Sequence, residues 1–200
     1  DTLLDEAAAR WPDRPIFVLG HSNGGLIALH HALRRSRPVD GYIVSSPFLG
    51  FAIDVPRTKN AAGRLLSRLW PTFSLPTGLD PESLSHDPRV VERYREDPLV
   101  LSVSTGRWFT ETLDAQKQLL ARADEIDVPC LFLVAGADDL ADPSTTDEVF
   151  HRLASSDREM DVFPNLKHEI LNEPNWASIV ERIAGWMRRH RPGEPTEDAA

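Results

Sequence analysis

Ser22 stands in Gly20-His21-Ser22-Asn23-Gly24. A serine hydroxyl becomes a useful nucleophile near neutral pH only when a histidine takes its proton and an acid holds that histidine in one tautomer. The chain carries both partners further on. His168 lies in Pro164-Asn165-Leu166-Lys167-His168-Glu169, and several acids lie in Gly136-Ala137-Asp138-Asp139-Leu140-Ala141-Asp142. Asp139 is favoured among them, because it falls three residues past Gly136, where the chain has just left a strand. Asp138 and Asp142 stay open, and Asp142, ahead of Pro143, also suits the start of a helix. In this reading Ser22 attacks a carbonyl, His168 shuttles the proton and Asp139 orients the histidine. His21 is expected to pack behind the turn, His30 and His31 lie on the following helix, and His86, His151 and His190 have surroundings that suggest the surface. No cluster of histidine, cysteine and carboxylate has metal-ligand spacing, so neither a metal nor any other cofactor is expected.

These residues need a scaffold that brings three distant segments together. The apolar run Ile16 to Leu19 meets a helix beginning near Gly24, with Ser22 between them, which is the layout of a nucleophile elbow. Lifting a serine out of such a turn needs a strained backbone and small neighbours, a need that Gly20 and Gly24 meet. The first amides of the helix then point at a developing oxyanion, and the backbone N–H of Asn23 is the expected donor. Further strands are expected over Gly41 to Ser46, Cys130 to Val134 and Met160 to Phe163. Helices are expected to about Arg35, over Trp108 to about Asp124 and over Thr146 to Ala154. A last helix carries Trp176, Ile179, Val180, Ile183, Trp186 and Met187 on one face. Strands alternating with helices predict an α/β fold with a mostly parallel sheet covered on both faces and a ligand crevice at the carboxyl ends of the strands. The serine, the acidic turn and the histidine loop all follow such ends.

The alternation stops between about Gly50 and Gly106, a stretch rich in proline with short helical pieces and no convincing strand. It reads as a helical lid or cap over 50–107, inserted into a discontinuous core of 1–49 and 108–190, with a disordered tail over 191–200. Leu65, Leu66, Leu69 and Trp70 form an apolar stripe in it, followed by Phe73 and Leu75. Such a stripe serves either to bind an acyl chain or to pack the lid on the core.

Composition narrows the function classes. With 200 residues, 41% hydrophobic and 26% charged, the chain can enclose one real core. Its formal net charge of −9, with scattered lysines and arginines, argues against nucleic acid as a partner. The single cysteine, Cys130, excludes an internal disulfide and reads as a small buried residue. No run approaches the roughly 18 apolar residues of a membrane span. One cysteine and no leader in the visible chain fit a cytoplasmic setting, with room for peripheral contact between the lid and a membrane surface. The oligomeric state is not legible.

The elbow Gly20 to Gly25, the Ser45-Ser46-Pro47 segment, the Gly136 to Asp139 turn and the His168 loop with its following Asn172-Glu173-Pro174 carry a family resemblance. So does the stretch from Gly78-Leu79-Asp80-Pro81 through Asp87-Pro88 to Asp97-Pro98-Leu99-Val100. The chain resembles an α/β-hydrolase of the monoacylglycerol lipase, lysophospholipase and serine aminopeptidase group over almost its whole length. The resemblance implies the Ser22, Asp139 and His168 triad, a helical lid forming an apolar channel, and hydrolysis of a lipid ester by an acyl-enzyme. A small-ester carboxylesterase or an aminopeptidase on the same fold is the alternative. Two departures stand out. Asn23 occupies the place where the group usually has methionine, which makes the pocket wall more polar without touching the backbone donor. The group also begins with several strands and a His-Gly loop that contributes a second oxyanion donor, and this segment is absent here. The sequence therefore leads us to expect an N-terminally truncated hydrolase or a gene fragment, its first strand left as an open sheet edge. Losing such a donor costs on the order of a hundredfold to a thousandfold in turnover, which makes a non-catalytic acyl-binding remnant a further alternative.

Overall fold

The computed structural model describes residues 1–52, 63–64 and 66–191. Helix α1 (Thr2–Arg10) leads into strand β1 (Phe17–His21), helix α2 (Asn23–Arg34) and strand β2 (Gly41–Ser45). After the inserted region come α4 (Gly106–Arg122), β5 (Cys130–Ala135), α5 (Pro143–Arg152), β6 (Arg158–Phe163) and α6 (Trp176–Arg189). The four strands β1-β2-β5-β6 pair in that order and are all parallel, so their carboxyl ends share one edge. The expected alternating α/β core is present. Its boundaries shift by a few residues from the sequence reading, as helix and strand ends commonly do.

The central strands are buried on both faces, and their alternation divides the core. Tyr42, Val44, Cys130, Phe132 and Val134 face one cluster, which Leu26 and Leu29 of α2, Leu119 of α4 and Val149 of α5 complete. Ile43, Leu131, Leu133 and Ala135 face the other, packed on Ile179, Ile183 and Trp186 of α6. A period of two in side-chain direction lets two neighbouring strands feed two cores. Of the α6 stripe, Ile179, Ile183 and Trp186 are buried whereas Trp176 and Val180 stay exposed, a narrower face than the sequence suggests. His190, expected at the surface, instead stacks on Trp186 with ring centroids 4.1 Å apart. Cys130 is buried, and burial pushes its thiol pKa up to about 12.

The inserted region differs from expectation in one element. It contains a short antiparallel pair, β3 (Ser74–Pro76) with β4 (Val103–Thr105), in addition to α3 (Pro88–Glu96). Three-residue strands, one ending in proline, leave too little pattern for a periodicity argument to find. Asp87 caps α3, its carboxylate accepting from the Arg89 amide at 2.9 Å. Residues 66–69 are helical. Leu65 and the tail from 192 onward lie outside the described residues.

Candidate active site

The elbow is built by sterics. Ser22 sits between β1 and α2 with φ 54° and ψ −121°, a left-handed conformation costly for a side chain. Its amide donates to the Ser45 carbonyl at 3.0 Å, and its carbonyl accepts from the Gly25 and Phe48 amides, both at 2.9 Å. Those bonds hold the turn to the β2 end on one side and to α2 on the other. A Cβ at residue 20 would overlap the Gly24 carbonyl oxygen, and one at residue 25 would lie 2.7 Å from the Pro47 Cβ. A Cβ on residue 24 would meet open space. The small residues the turn requires are therefore Gly20 and Gly25, not the Gly20 and Gly24 pair read from the sequence. Asn23 is the first residue of α2, so the helix offers its amide no carbonyl partner.

The acid and the histidine meet because β5 and β6 run in register. Ala135 pairs with Phe163, and just beyond them the Gly136 amide donates to the Phe163 carbonyl at 2.8 Å and the Ala137 amide to the Leu166 carbonyl at 3.0 Å. A Cβ on Gly136 would come within 2.6 Å of the Pro164 Cα, so glycine lets the two loops close. The next residue, Asp138, is directed inward. Its Oδ2 lies 2.7 Å from His168 Nδ1, and its Oδ1 accepts from the Leu140 and Ala141 amides, both at 2.9 Å. Asp138 is 8% exposed and His168 is 5% exposed.

This corrects the choice of acid. Asp139 is exposed, and the residue paired with His168 is Asp138. The cross-strand bonds of Gly136 and Ala137 turn the chain one residue earlier than the spacing suggests, and the Asp138 carboxylate closes an Asx turn over the two amides that follow. Asp142 takes the other role foreseen for it. It caps α5, accepting from the Ser144 amide at 2.9 Å.

His21 sits between the elbow and the histidine loop. Its ring packs on His168, with centroids 4.9 Å apart, and its Nδ1 lies 3.2 Å from the Ser45 hydroxyl. Burial, reinforced by neighbouring His168, lowers its pKa to about 4, so the ring is neutral at physiological pH. Through His21 the elbow and the Asp138–His168 pair are joined. Among the described residues the Ser22 hydroxyl forms no hydrogen bond; such bonds often tighten only when substrate is bound.

The walls near Ser22 are aromatic. Phe48, whose amide binds the Ser22 carbonyl, packs on Phe51 at 4.6 Å between ring centroids and stacks near Trp108 at 6.5 Å, and Phe51 reaches Phe109 at 5.5 Å. Sequence reasoning missed this cluster, which joins the end of β2 to the start of α4 across the whole insertion. A groove of about 500 Å³ opens at Asn23 and runs past Ile27 and Trp108. A larger one of about 830 Å³, between Phe17 and Met187, lies beside the start of β1, at the other end of the strands from the serine. Of the expected acyl-binding residues, Leu66 is half-buried, while Leu69 is 74% exposed and Trp70 is 58% exposed.

The chain matches known proteins over most of its length. Residues 1–175 match the family model described as serine aminopeptidase, S33. Phospholipase YtpA of Bacillus subtilis is 32% identical over 90% of this chain and 70% of its own length. The crystal structure of Paleococcus ferrophilus monoacylglycerol lipase superposes with a TM-score of 0.84 at 33% identity, covering 94% of this chain and 74% of that one. An uncharacterized abhydrolase domain-containing protein of Dictyostelium discoideum is 33% identical over 88% of this chain, which spans only 19% of that relative. Fold, elbow and matched family converge: the chain belongs to the serine aminopeptidase S33 family and is an α/β-hydrolase of the group that includes monoacylglycerol lipases and this phospholipase.

Proposed function

We propose that this chain is a serine hydrolase that cleaves a medium- or long-chain carboxylic ester, a monoacylglycerol or a lysophospholipid, through an acyl-enzyme. The observation that carries the reading is the buried Asp138–His168 pair, 2.7 Å apart, set beside a strained serine elbow. In this mechanism Ser22 Oγ attacks the ester carbonyl as His168 Nε2 takes its proton. Asp138 holds the Nδ1 proton and stabilises the imidazolium. The backbone N–H of Asn23 donates to the oxyanion, aided by the positive end of α2. His168 then protonates the leaving alkoxide, and water attacks the acyl-enzyme by the same route in reverse to release the fatty acid. A neutral His21 adds no second charge beside the imidazolium.

The lipid substrate is supported by the Phe48, Phe51, Trp108 and Phe109 cluster near the serine and by the similarity to monoacylglycerol lipases and a phospholipase. We assign residues 50–107 as the lid. Its exposed Leu69, Trp70, Leu99 and Leu101 suit shallow contact with a membrane surface; no described helix is long and apolar enough to cross one. The test is covalent labelling by a fluorophosphonate, mapped by mass, with Ser22→Ala as control, followed by esters of rising acyl length. Labelling at Ser22 and rates that climb from acetate towards long chains are expected. A preference that stays at acetate would replace the lipid reading with a small-ester carboxylesterase, and no labelling of the folded chain would refute the hydrolase reading.

A further inference from the structure

Glu173 has no part in the chemistry above, yet its side chain is completely buried. A carboxylate removed from water is costly unless its oxygens find donors. Here the donors come from two directions. Oε1 accepts from the Lys167 amide at 2.9 Å and faces His86 Nδ1 at 2.9 Å, while Oε2 accepts from the His86 amide at 2.9 Å. Burial pushes its pKa up, but the two amides and the His86 ring outweigh it and leave the carboxyl below the usual glutamate value. It is an ion at neutral pH.

Lys167 and Glu169 flank His168, and both of their amides are captured. The Lys167 amide goes to Glu173, and the Glu169 amide goes to the Leu84 carbonyl at 2.8 Å. Two more bonds run between the same segments. Lys167 Nζ donates to the Glu82 carbonyl at 2.7 Å, and the Ser85 hydroxyl donates to the Asn172 carbonyl at 3.0 Å. Residues 82–87 of the inserted region therefore form a strap against the histidine loop, and Glu173 is the buried point where strap and loop meet. A carboxylate that merely stapled two loops could lie anywhere along the contact. This one binds the amide of Lys167, the residue just ahead of the proton-transferring one.

We infer that Glu173 is a positioning residue: it fixes the Leu166–Lys167 peptide, one residue ahead of His168, and couples the aim of that imidazole to the seating of residues 85–86. The inference rests on the hydrolase reading for its catalytic consequence but not for its geometry. Glu173→Gln keeps the volume while leaving one of the amide or ring donors without an oxygen acceptor.

The experiment compares parent, Glu173→Gln and His86→Ala in two measurements. One is the second-order rate of fluorophosphonate labelling at Ser22. The other is the proton resonance of His168 Nδ1–H, assigned by its loss in His168→Gln. In folded Glu173→Gln we expect labelling to slow by about tenfold or more, as small misplacements of a catalytic group do, together with a shifted or exchange-broadened resonance. His86→Ala, which keeps the Lys167 bond, should give a smaller loss of about twofold to fivefold. A folded Glu173→Gln that labels within about twofold of the parent with an unchanged resonance overturns the inference. If Glu173→Gln does not fold, an unchanged labelling rate and resonance in His86→Ala overturns it. If the parent itself is not labelled, the hydrolase reading has failed and the resonance alone decides this one.

Discussion

Replacing each of two adjacent aspartates in turn decides which one serves His168. In the parent, Asp138 Oδ2 accepts the Nδ1 proton at 2.7 Å and Oδ1 accepts from the Leu140 and Ala141 amides. In Asp138→Asn the amide oxygen can keep the two backbone bonds, which places the NH2 group against His168 Nδ1. That nitrogen must then become an acceptor, so the ring proton moves to Nε2 and the face towards Ser22 can no longer take its proton. Loss of the correct tautomer and of the buried charge should cost on the order of ten-thousandfold in acylation, about 5.5 kcal/mol of barrier. Stability should change far less, because the turn keeps its hydrogen bonds. Asp139 is exposed, so Asp139→Asn should label within about twofold of the parent and shift stability by no more than about 0.5 kcal/mol. The assay is the second-order rate of fluorophosphonate labelling at Ser22, read by intact mass, with thermal unfolding of each variant as the control for folding. The reasoning is refuted if Asp138→Asn labels within tenfold of the parent or if Asp139→Asn suffers the larger loss.

Two further predictions concern the elbow. Gly20→Ala sets a methyl against the Gly24 carbonyl, whereas Gly24→Ala meets open space; the first should lose at least about 2 kcal/mol in urea unfolding and the second about 1 kcal/mol or less. Equal losses would show that the turn does not depend on this contact. His21 has its folded pKa lowered from 6.5 to about 4, so the unfolded chain binds a proton in this range that the folded chain refuses. The stability linked to it is complete above about pH 6.5 and declines as pH falls towards 4, by about 1 to 2 kcal/mol at pH 5 once partial exposure is allowed for. Urea midpoints at pH 7 and pH 5 should therefore converge in His21→Asn relative to the parent, and an identical pH dependence in the two would disprove it.

Much of the site was legible because it is made of local signals. A glycine-flanked serine between an apolar run and a helix, and strands separated by turn residues, are patterns a few residues long. A parallel sheet then forces every strand's carboxyl end to one edge, so the chain order of serine, acid and histidine already placed them together. Asp142, ahead of Pro143, was readable as a helix cap for the same reason. The acid itself was not readable. Whether Asp138 or Asp139 turns inward depends on bonds from Gly136 and Ala137 to carbonyls of Phe163 and Leu166, and a pattern along the chain does not record pairing across a sheet.

The sequence by itself determined the fold class and the family and singled out Ser22 and His168 as the proposed nucleophile and base, since periodicity and short motifs encode backbone geometry directly. Only the tertiary structure decided which carboxylate pairs with His168, that Gly25 rather than Gly24 lets the elbow close, and that His21 faces His168. It also brought Phe48 and Phe51 against Trp108 and Phe109, and Glu173 against residues 85–86 of the insertion. These are contacts between segments separated by dozens of residues. Their partners are chosen by burial and by the need of each buried polar group for a donor or acceptor, conditions that exist only once the chain has closed on itself.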